Sequence, residues 1–334
     1  MKQRVLFFLG VSVIFFLAIW FFWPSDKDER VDLKVNRFEE ELFLITIDNV
    51  IEKVDGWDAK FTSFNEIFMT QIMQIHSRNK EDYYDGLIAF TYNKDMREAY
   101  DSTAYLFSDF SDLKRELEFA FGQFSVYFPG YPIPEITTFF GGFNYGVITY
   151  DNNIAIGLEN FLGENSKYYQ YLGNPQYLRF QKQRKFISSN VMEVWFNELF
   201  QQYLGGRDLL SQLIYKGKMM YFLDRILPDL DMEDKFRFTS LQMDWVEKNE
   251  ASIWEYFVQK DLLFSKEESK FRSFVDYAPF AKGMPKESPG RVGYFIGYRM
   301  VVEYVKNNNI SIKDLMLLTD SRKFLQKSSY KPNK

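Results

Sequence analysis

The chain has 334 residues, a net charge of −5, no cysteine and one histidine, His76. This composition excludes disulfides and disfavours zinc, iron or copper sites and Ser–His–Asp or Cys–His catalysis, because these draw on imidazole or thiolate groups. The chain lacks a dense block of Lys and Arg, so a nucleic-acid partner is not expected. We therefore expect a protein that binds or holds something, with no cofactor and no metal, and we interpret His76 as a surface or helix-end residue.

The first predicted element is an uncharged apolar segment, 5–23, which follows Lys2 and Arg4 and ends before Pro24. Nineteen helical residues span about 28 Å, roughly one bilayer core. The segment ends in bulky residues and lacks a small-x-small site, which favours an uncleaved signal anchor over a removed signal peptide. The positive end predicts a single-pass protein of the cell membrane with most of the chain in the periplasm. The predicted division is 1–4 cytoplasmic tail, 5–23 transmembrane signal anchor, 24–34 linker and 35–332 exported domain.

Helices are predicted on both sides of a small sheet, because apolar residues recur at helical spacing. Before the sheet they span 37–54, 61–77, 93 or 94 to about 107, and 111–127. After it they span about 187–204, 206–227, 239–259 and 289–306, with Thr239 and Gln242 as a capping box.

The sheet is predicted from β-forming residues that follow the helix-breaking stretch 128–134. Strands are expected at 135–140, 147–150 and 154–158, and 151–153 forms a hairpin turn. Asp151 and Glu159 could be paired carboxylates, but a turn former and a loop acid are the favoured interpretation. The fold class is therefore α+β, mostly α-helical, with a small sheet and hairpin followed by long helices.

This layout resembles that of the zincin metallopeptidases, in which His-Glu-x-x-His supplies two zinc ligands and a general base. Here Met192 and Phe196 occupy the two histidine positions, Glu193 stands at the position of the base, and Lys216 lies where a third ligand is expected. Met and Phe cannot hold a hard divalent ion, so the resemblance implies a degenerate zincin fold without metal. A core stripe at helical spacing explains the same apolar residues, and Glu193 is only a weak catalytic candidate.

Several ordered segments of the chain, within 31–332, are similar to the gliding-motility lipoprotein GldB family. They are 36–43, 156–163, 213–224, 242–254, 276–280, 288–304 and 329–332. The resemblance implies a GldB-like periplasmic domain over 35–332, attached to the membrane and linked to the motility and secretion machinery. Family members are expected to carry a lipobox cysteine, which is absent here. The N-terminal helix would therefore hold the protein at the membrane, unless the protein is released.

The expected function is non-catalytic support of gliding motility through protein–protein contacts in the cell envelope. One alternative is a peptide or glycan hydrolase that uses Glu193, Asp151 or Glu159. Another is a peptide- or glycan-binding module, whose groove would expose aromatic side chains and include Arg291. The candidate groove aromatics are Phe139, Phe140, Phe143 and Tyr145.

Three glycines lie on one face of the predicted helix 289–306, which Ser288 would cap with Pro289 in the first turn. They are Gly290, Gly293 and Gly297. Because glycine costs about 1 kcal/mol inside a helix, we expect a close approach of another element there, with a ligand groove as the alternative. Arg291 and Arg299 near this face are expected to pair with acids of the same chain, and binding of a carboxylate terminus is the alternative.

Overall fold

The computed structural model describes residues 30–61, 63–75 and 79–332. The predicted tail, the anchor segment 5–23 and His76 lie outside these residues. None of the described helices is both long and apolar enough to cross a membrane.

A four-stranded sheet lies at the centre of the fold, in the order β1-β2-β4-β3. Its strands are β1 (Val35–Arg37), β2 (Ile136–Phe139), β3 (Val147–Tyr150) and β4 (Asn153–Gly157). β1 pairs with β2 in parallel, β2 pairs with β4 in parallel, and β3 with β4 forms the antiparallel hairpin. The hairpin was predicted from its turn residues, whereas β1 was not predicted.

Helices make up most of the described chain, which confirms the mostly α-helical α+β fold class. Between β1 and β2 they are α1 (Phe38–Leu42), α2 (Val50–Lys60), α3 (Phe64–Ile67) with a π-helical extension (Phe68–Ile72), α4 (Lys80–Tyr92), α5 (Lys94–Leu106) and α6 (Ser111–Tyr127). After the sheet they are α7 (Lys167–Tyr171), α8 (Gln176–Arg179), α9 (Ile187–Phe200), α10 (Leu209–Ile226), α11 (Met232–Phe236), α12 (Ser240–Lys248), α13 (Glu250–Gln259), α14 (Glu268–Val275), α15 (Val292–Asn307), α16 (Ile312–Leu317) and α17 (Ser321–Ser328). Short 3₁₀ turns lie at Leu158–Phe161, Arg184–Phe186 and Gln201–Tyr203.

The sheet separates two hydrophobic clusters. Successive side chains of a strand point to opposite faces, so Ile154 and Ile156 of β4 join the larger, C-terminal cluster while Ala155 joins the smaller, N-terminal one. The smaller cluster lies around Phe38 and Phe64, and about half of its buried members are aromatic residues from α1–α3, the loops beside them and the sheet. The larger cluster includes α6, α9, α10 and α15. The two central strands, β2 and β4, are therefore buried on both faces, whereas the edge strands β1 and β3 are mostly half-buried.

Several predicted helix boundaries are wrong, including those of the helix expected over 61–77, which begins at Phe64 and ends at Ile72. The helix expected over 37–54 is interrupted, because Asn49 accepts a hydrogen bond from the Thr46 amide and donates one to the Leu44 carbonyl, which forms a turn. The helix expected over 239–259 divides at Asn249, whose amide group bonds the Trp245 carbonyl, although its predicted capping box is present. The last long helix begins at Val292, so Ser288 does not cap it.

The glycines of α15 permit a close contact with α10. A Cβ atom on Gly297 would lie 1.9 Å from the carbonyl oxygen of Leu213, and one on Gly217 would lie 2.2 Å from the Gly297 carbonyl. A Cβ on Gly293 would meet the Leu213 side chain and the Phe274 carbonyl at 2.6 Å. The predicted close approach is therefore confirmed for Gly293 and Gly297. Gly290 precedes the helix, but another element approaches it closely too, since a Cβ there would lie 2.7 Å from the backbone nitrogen and oxygen of Ala278.

Lys218 of α10 is expected to make stability depend on pH. It is 1% exposed, its Nζ donates to the carbonyls of Leu318 and Met316, and burial lowers its pKa to about 7. An unfolded lysine keeps its proton to about pH 10, so the unfolded state binds more protons between these two values and stability rises with pH there. Relative to Lys218→Met, we expect the wild-type protein to gain roughly 4 kcal/mol of unfolding free energy from pH 7 to 10.

Urea denaturation of both proteins at several pH values in this range measures the difference. Lys306→Met, at an exposed lysine, is the matched control and should follow the wild-type curve. Parallel curves for wild type and Lys218→Met would contradict the prediction.

Candidate functional site

A cavity of about 780 Å³ opens where loops from the C-terminal half of the chain meet. Its lining comes from Glu164, the α8 segment 175–181, the α11–α12 connection 237–242, and two stretches before α15, 277–279 and 289–291. Cavities of this size are typical of sites for small-molecule ligands. The cavity is therefore the candidate functional site.

Two arginines on the lining are almost completely buried, with Arg237 2% exposed and Arg291 3% exposed. Each stands at the end of a helix, Arg237 after α11 and Arg291 before α15, and each has left-handed backbone, with φ of 55° and 63°. Non-glycine residues are uncommon in this region and are enriched at functional sites. The local chain thus accepts backbone strain to place both guanidinium groups here.

Glu193 of α9 holds the two arginines from behind the cavity. Its Oε2 accepts a hydrogen bond from Nη2 of Arg237 and lies 3.6 Å from Nη2 of Arg291. The carboxylate is itself largely buried, at 15% exposed. Among the contacts of these three residues, two cations face one anion, which leaves an excess of positive charge in a region of low dielectric.

The buried arginines keep unused hydrogen-bond donors. Within the described chain, Nε and Nη1 of Arg237 and all three guanidinium nitrogens of Arg291 make no hydrogen bond of full geometry. The hydroxyl groups of Tyr277 and Tyr294 are their polar neighbours, Tyr277 for Arg237 and Tyr294 for Arg291. Gln181 also belongs to the lining, and its Oε1 atom is a buried acceptor to which no group in the described chain donates a hydrogen bond. Its side-chain nitrogen donates to the Arg237 carbonyl at 3.3 Å. Unsatisfied buried polar atoms are rare in native proteins and call for an explanation.

Tyrosine rings stack on the arginines. The Arg291 guanidinium lies 4.5 Å from the ring centre of Tyr277 and 3.9 Å from that of Tyr294, and Lys216 lies 5.3 Å from the latter ring. Burial alone would raise the pKa of Tyr294, but the charges of Arg291 and Lys216 bring it below its usual value. Burial lowers the pKa of Arg237, and the charge of Arg291 acts in the same direction. Burial acts to lower the pKa of Arg291, but Tyr277, Tyr294 and Asp276 bring it above its usual value. The three shifts show that the charged and aromatic groups of this cluster act strongly on one another.

The structure brings only part of the predicted zincin pattern to this site. Met192 and Phe196 are fully buried in the core and face other apolar side chains, as the core-stripe interpretation expects. Glu193 and Lys216 reach the arginine cluster from α9 and α10. Within the described residues, no group of three or more His, Cys, Asp or Glu side chains could hold a metal ion. A metal-free site stays a prediction.

The prediction that aromatic side chains are exposed in a groove is wrong for Phe139 and Phe140. Phe139 and Phe140 are fully buried, because they pack into the N-terminal cluster against Phe64 and Phe43. Phe143 is half-buried, and Tyr145 is exposed. None of the four predicted aromatics lines the cavity that contains Arg291.

Asp151 and Glu159 do not form a pair, since they stand at opposite ends of β4. Asp151 is an exposed turn residue with φ of 43°. Glu159 is buried, and its Oε1 accepts hydrogen bonds from the amides of Gly141 and Phe143 at 2.8 and 3.0 Å. Burial raises the pKa of Glu159 to about 7, despite these bonds. Glu159 therefore organises a loop.

Sequence reasoning missed Arg237, Gln181 and Tyr277 as site residues. Arg237 follows an acidic helix connection, which reads as solvated surface, and no local pattern marks its burial. Among these lining residues the sequence drew attention only to Arg291, because it stands next to the glycines of the predicted helix.

One comparison with known proteins gives a match. A family model described as gliding motility protein GldB matches residues 23–332, which is more than nine-tenths of the chain. Searches of curated proteins and of solved structures give no significant match.

Proposed function

Since the chain belongs to the family of gliding motility protein GldB, we propose that it is a membrane-anchored, periplasm-facing protein that supports motility without catalysis. Membership of the family implies a role in gliding motility. The anchoring, the periplasmic location and the action through contacts with other envelope proteins are the parts that we propose.

The arrangement around Glu193 carries the non-catalytic part of the proposal. A zincin needs two metal ligands on this helix and a free carboxylate between them. Here the two ligand positions hold Met192 and Phe196, both fully buried, and the carboxylate is engaged by two arginines. Glu193 therefore acts as a structural counter-ion, and the cavity beside it is suited to binding.

The sequence supports attachment to a membrane through residues 5–23. This segment is uncharged and long enough to span a bilayer. The chain contains no cysteine, so a thioether-linked lipid cannot be attached to these residues. The basic residues Lys2 and Arg4 favour a cytoplasmic N terminus and hence a periplasmic domain.

Two arginines introduced into the apolar segment, Ile14→Arg and Leu17→Arg together, are expected to release the protein from the membrane. Each costs about 2.5–3.5 kcal/mol near the centre of a spanning helix. Fractionation of cells that carry the variant should show the protein in the soluble fraction, and gliding on agar should be lost. Gln3→Arg adds one positive charge outside the segment, beside Lys2 and Arg4, and should leave both results unchanged. Retention of the double variant in carbonate-washed membranes would contradict the anchor.

The contact role is tested by isolation of the full-length tagged protein from detergent-solubilised envelope. We expect motility or secretion components to be recovered with it and zinc to be substoichiometric in protein purified without chelator. Stoichiometric zinc would favour a hydrolase, and recovery of no motility or secretion component would contradict the proposed contacts.

A further inference from the structure

The cavity beside Glu193 has the chemical features of an anion site. Arg237 and Arg291 line it, and both are more than nine-tenths buried. Five of their guanidinium nitrogens are buried without a hydrogen bond of full geometry in the described chain, and only the tyrosine hydroxyls of Tyr277 and Tyr294 stand beside them as weak polar neighbours. A planar guanidinium binds carboxylate or phosphate oxygens through paired N–H donors. An oxyanion in the cavity would satisfy donors that the protein itself leaves unused.

The charges around the cavity favour a single negative charge. Three cations, Arg237, Arg291 and Lys216, stand against Glu193 and Asp276, which leaves one positive charge in the cluster. Glu164 stands on the lining itself. A dianion such as a phosphate monoester would exceed the remaining positive charge and approach Glu164. A carboxylate matches the site better because it carries one charge and two acceptor oxygens.

Gln181 adds a second requirement. Its buried Oε1 is an acceptor without a donor in the described chain, on the same lining as the arginines. The ligand should therefore carry an N–H group close to its carboxylate. The last residue of a peptide has both, an α-carboxylate and an amide N–H one carbon away.

The surroundings fit the end of a peptide chain. The N terminus of α12, a helix of nine residues, lies at the cavity through Thr239 and Gln242, and its dipole favours a negative group. Tyr177, Phe180 and Phe238 provide apolar wall for a side chain. We propose that this cavity binds the C-terminal carboxylate of a peptide or protein chain, with Arg237 and Arg291 on the carboxylate and Gln181 on the last amide N–H.

Small probes test each part of the proposal on the full-length protein in detergent, by ligand-observed NMR titration. Hippurate carries an acyl group, an amide N–H and a carboxylate in the order found at a C terminus. In 4-oxo-4-phenylbutanoate a CH₂ replaces the N–H, and in hippuramide a neutral amide replaces the carboxylate. We expect hippurate to bind most tightly, the keto acid more weakly, and hippuramide not at all. Phenyl phosphate should bind more weakly than hippurate.

Variants assign the contacts to residues. Arg291→Gln should weaken hippurate binding at least tenfold, since a charged partner is lost in a buried site. Gln181→Leu should weaken hippurate but leave the keto acid unchanged, and this selective effect is one that a general loss of structure cannot produce. Arg272→Gln, at an exposed arginine of α14, is the control. Because Gln181 lies outside the ion-pair cluster, its variant keeps the test decisive if Arg291→Gln does not fold.

Equal binding of hippurate and hippuramide, tighter binding of phenyl phosphate, or hippurate binding that neither variant changes would each overturn the proposal. The inference deepens the proposed contact function, since it names the part of a partner that this cavity would hold. Failure of the carboxylate site can be distinguished from failure of the proposed function, because probe binding is measured on purified protein while anchoring and motility are measured in cells.

Discussion

Gly297→Val is expected to prevent α10 and α15 from packing and to leave the protein unfolded. A Cβ at this position would lie 1.9 Å from the Leu213 carbonyl oxygen and 3.0 Å from the Gly217 amide nitrogen. Both contacts are with backbone, which cannot move aside as a flexible side chain can, so the helices must separate and expose the centre of the larger cluster. We expect a loss of more than about 4 kcal/mol, within the range that unfolds many domains. Soluble yield, far-UV circular dichroism and the urea midpoint measure it.

Gly56→Val provides the matched control for this prediction. Gly56 is an exposed residue of α2, and a Cβ there meets no atom within 4 Å. The same change should alter the unfolding free energy by less than about 0.5 kcal/mol, because Val and Gly differ little in helix propensity. A Gly297→Val protein with a urea midpoint near that of Gly56→Val would show that the two helices are not held in close contact.

Glu193→Gln is expected to destabilise the protein by about 3–5 kcal/mol, the usual effect of removing one partner of a buried ion pair. The variant keeps the size of the side chain but leaves Arg237 and Arg291 buried together without their counter-ion. Urea denaturation at neutral pH measures the loss. Removal of one partner from an ion pair at the surface would lower the free energy of unfolding far less, because solvent screens exposed charges.

Glu198→Gln on the same helix is the control for this change. Glu198 is exposed, and its Oε2 accepts a hydrogen bond from the Thr149 hydroxyl at 2.7 Å, which a glutamine oxygen can also accept. Its effect should stay within about 0.5 kcal/mol. In Glu193→Gln combined with Arg237→Gln, the two losses should not add, with a coupling of at least about 1 kcal/mol. Equal stability of Glu193→Gln and Glu198→Gln would refute the role of Glu193 as counter-ion.

The elements that were predicted correctly depend on interactions between residues that are close in the sequence. Helix α6 has its predicted bounds, Ser111–Tyr127, and the β3–β4 hairpin forms around its Asp-Asn turn. The capping box of α12 is also local, because both of its partners lie within four residues. The family resemblance likewise depended on the linear order of residues, and the family match over 23–332 confirmed it.

Only the tertiary structure decided the elements and contacts that join distant parts of the chain. Strand β1 was missed because its three residues gain their hydrogen bonds from β2, about a hundred positions away. Phe139 and Phe140 were assigned to a groove, but the helices of the N-terminal cluster cover them. Neither effect leaves a periodic pattern in the sequence.

The sequence by itself determined the mostly helical α+β class, the family and the absence of histidine and cysteine from positions such as Met192, Phe196 and Lys216. Those properties depend on residue identity and short-range spacing. The fold decided that Glu193 has two buried counter-ions, and that Arg237, Arg291 and Gln181 face one cavity. The physical reason is that burial and charge pairing arise between segments far apart in the chain, where neither propensity nor periodicity carries information.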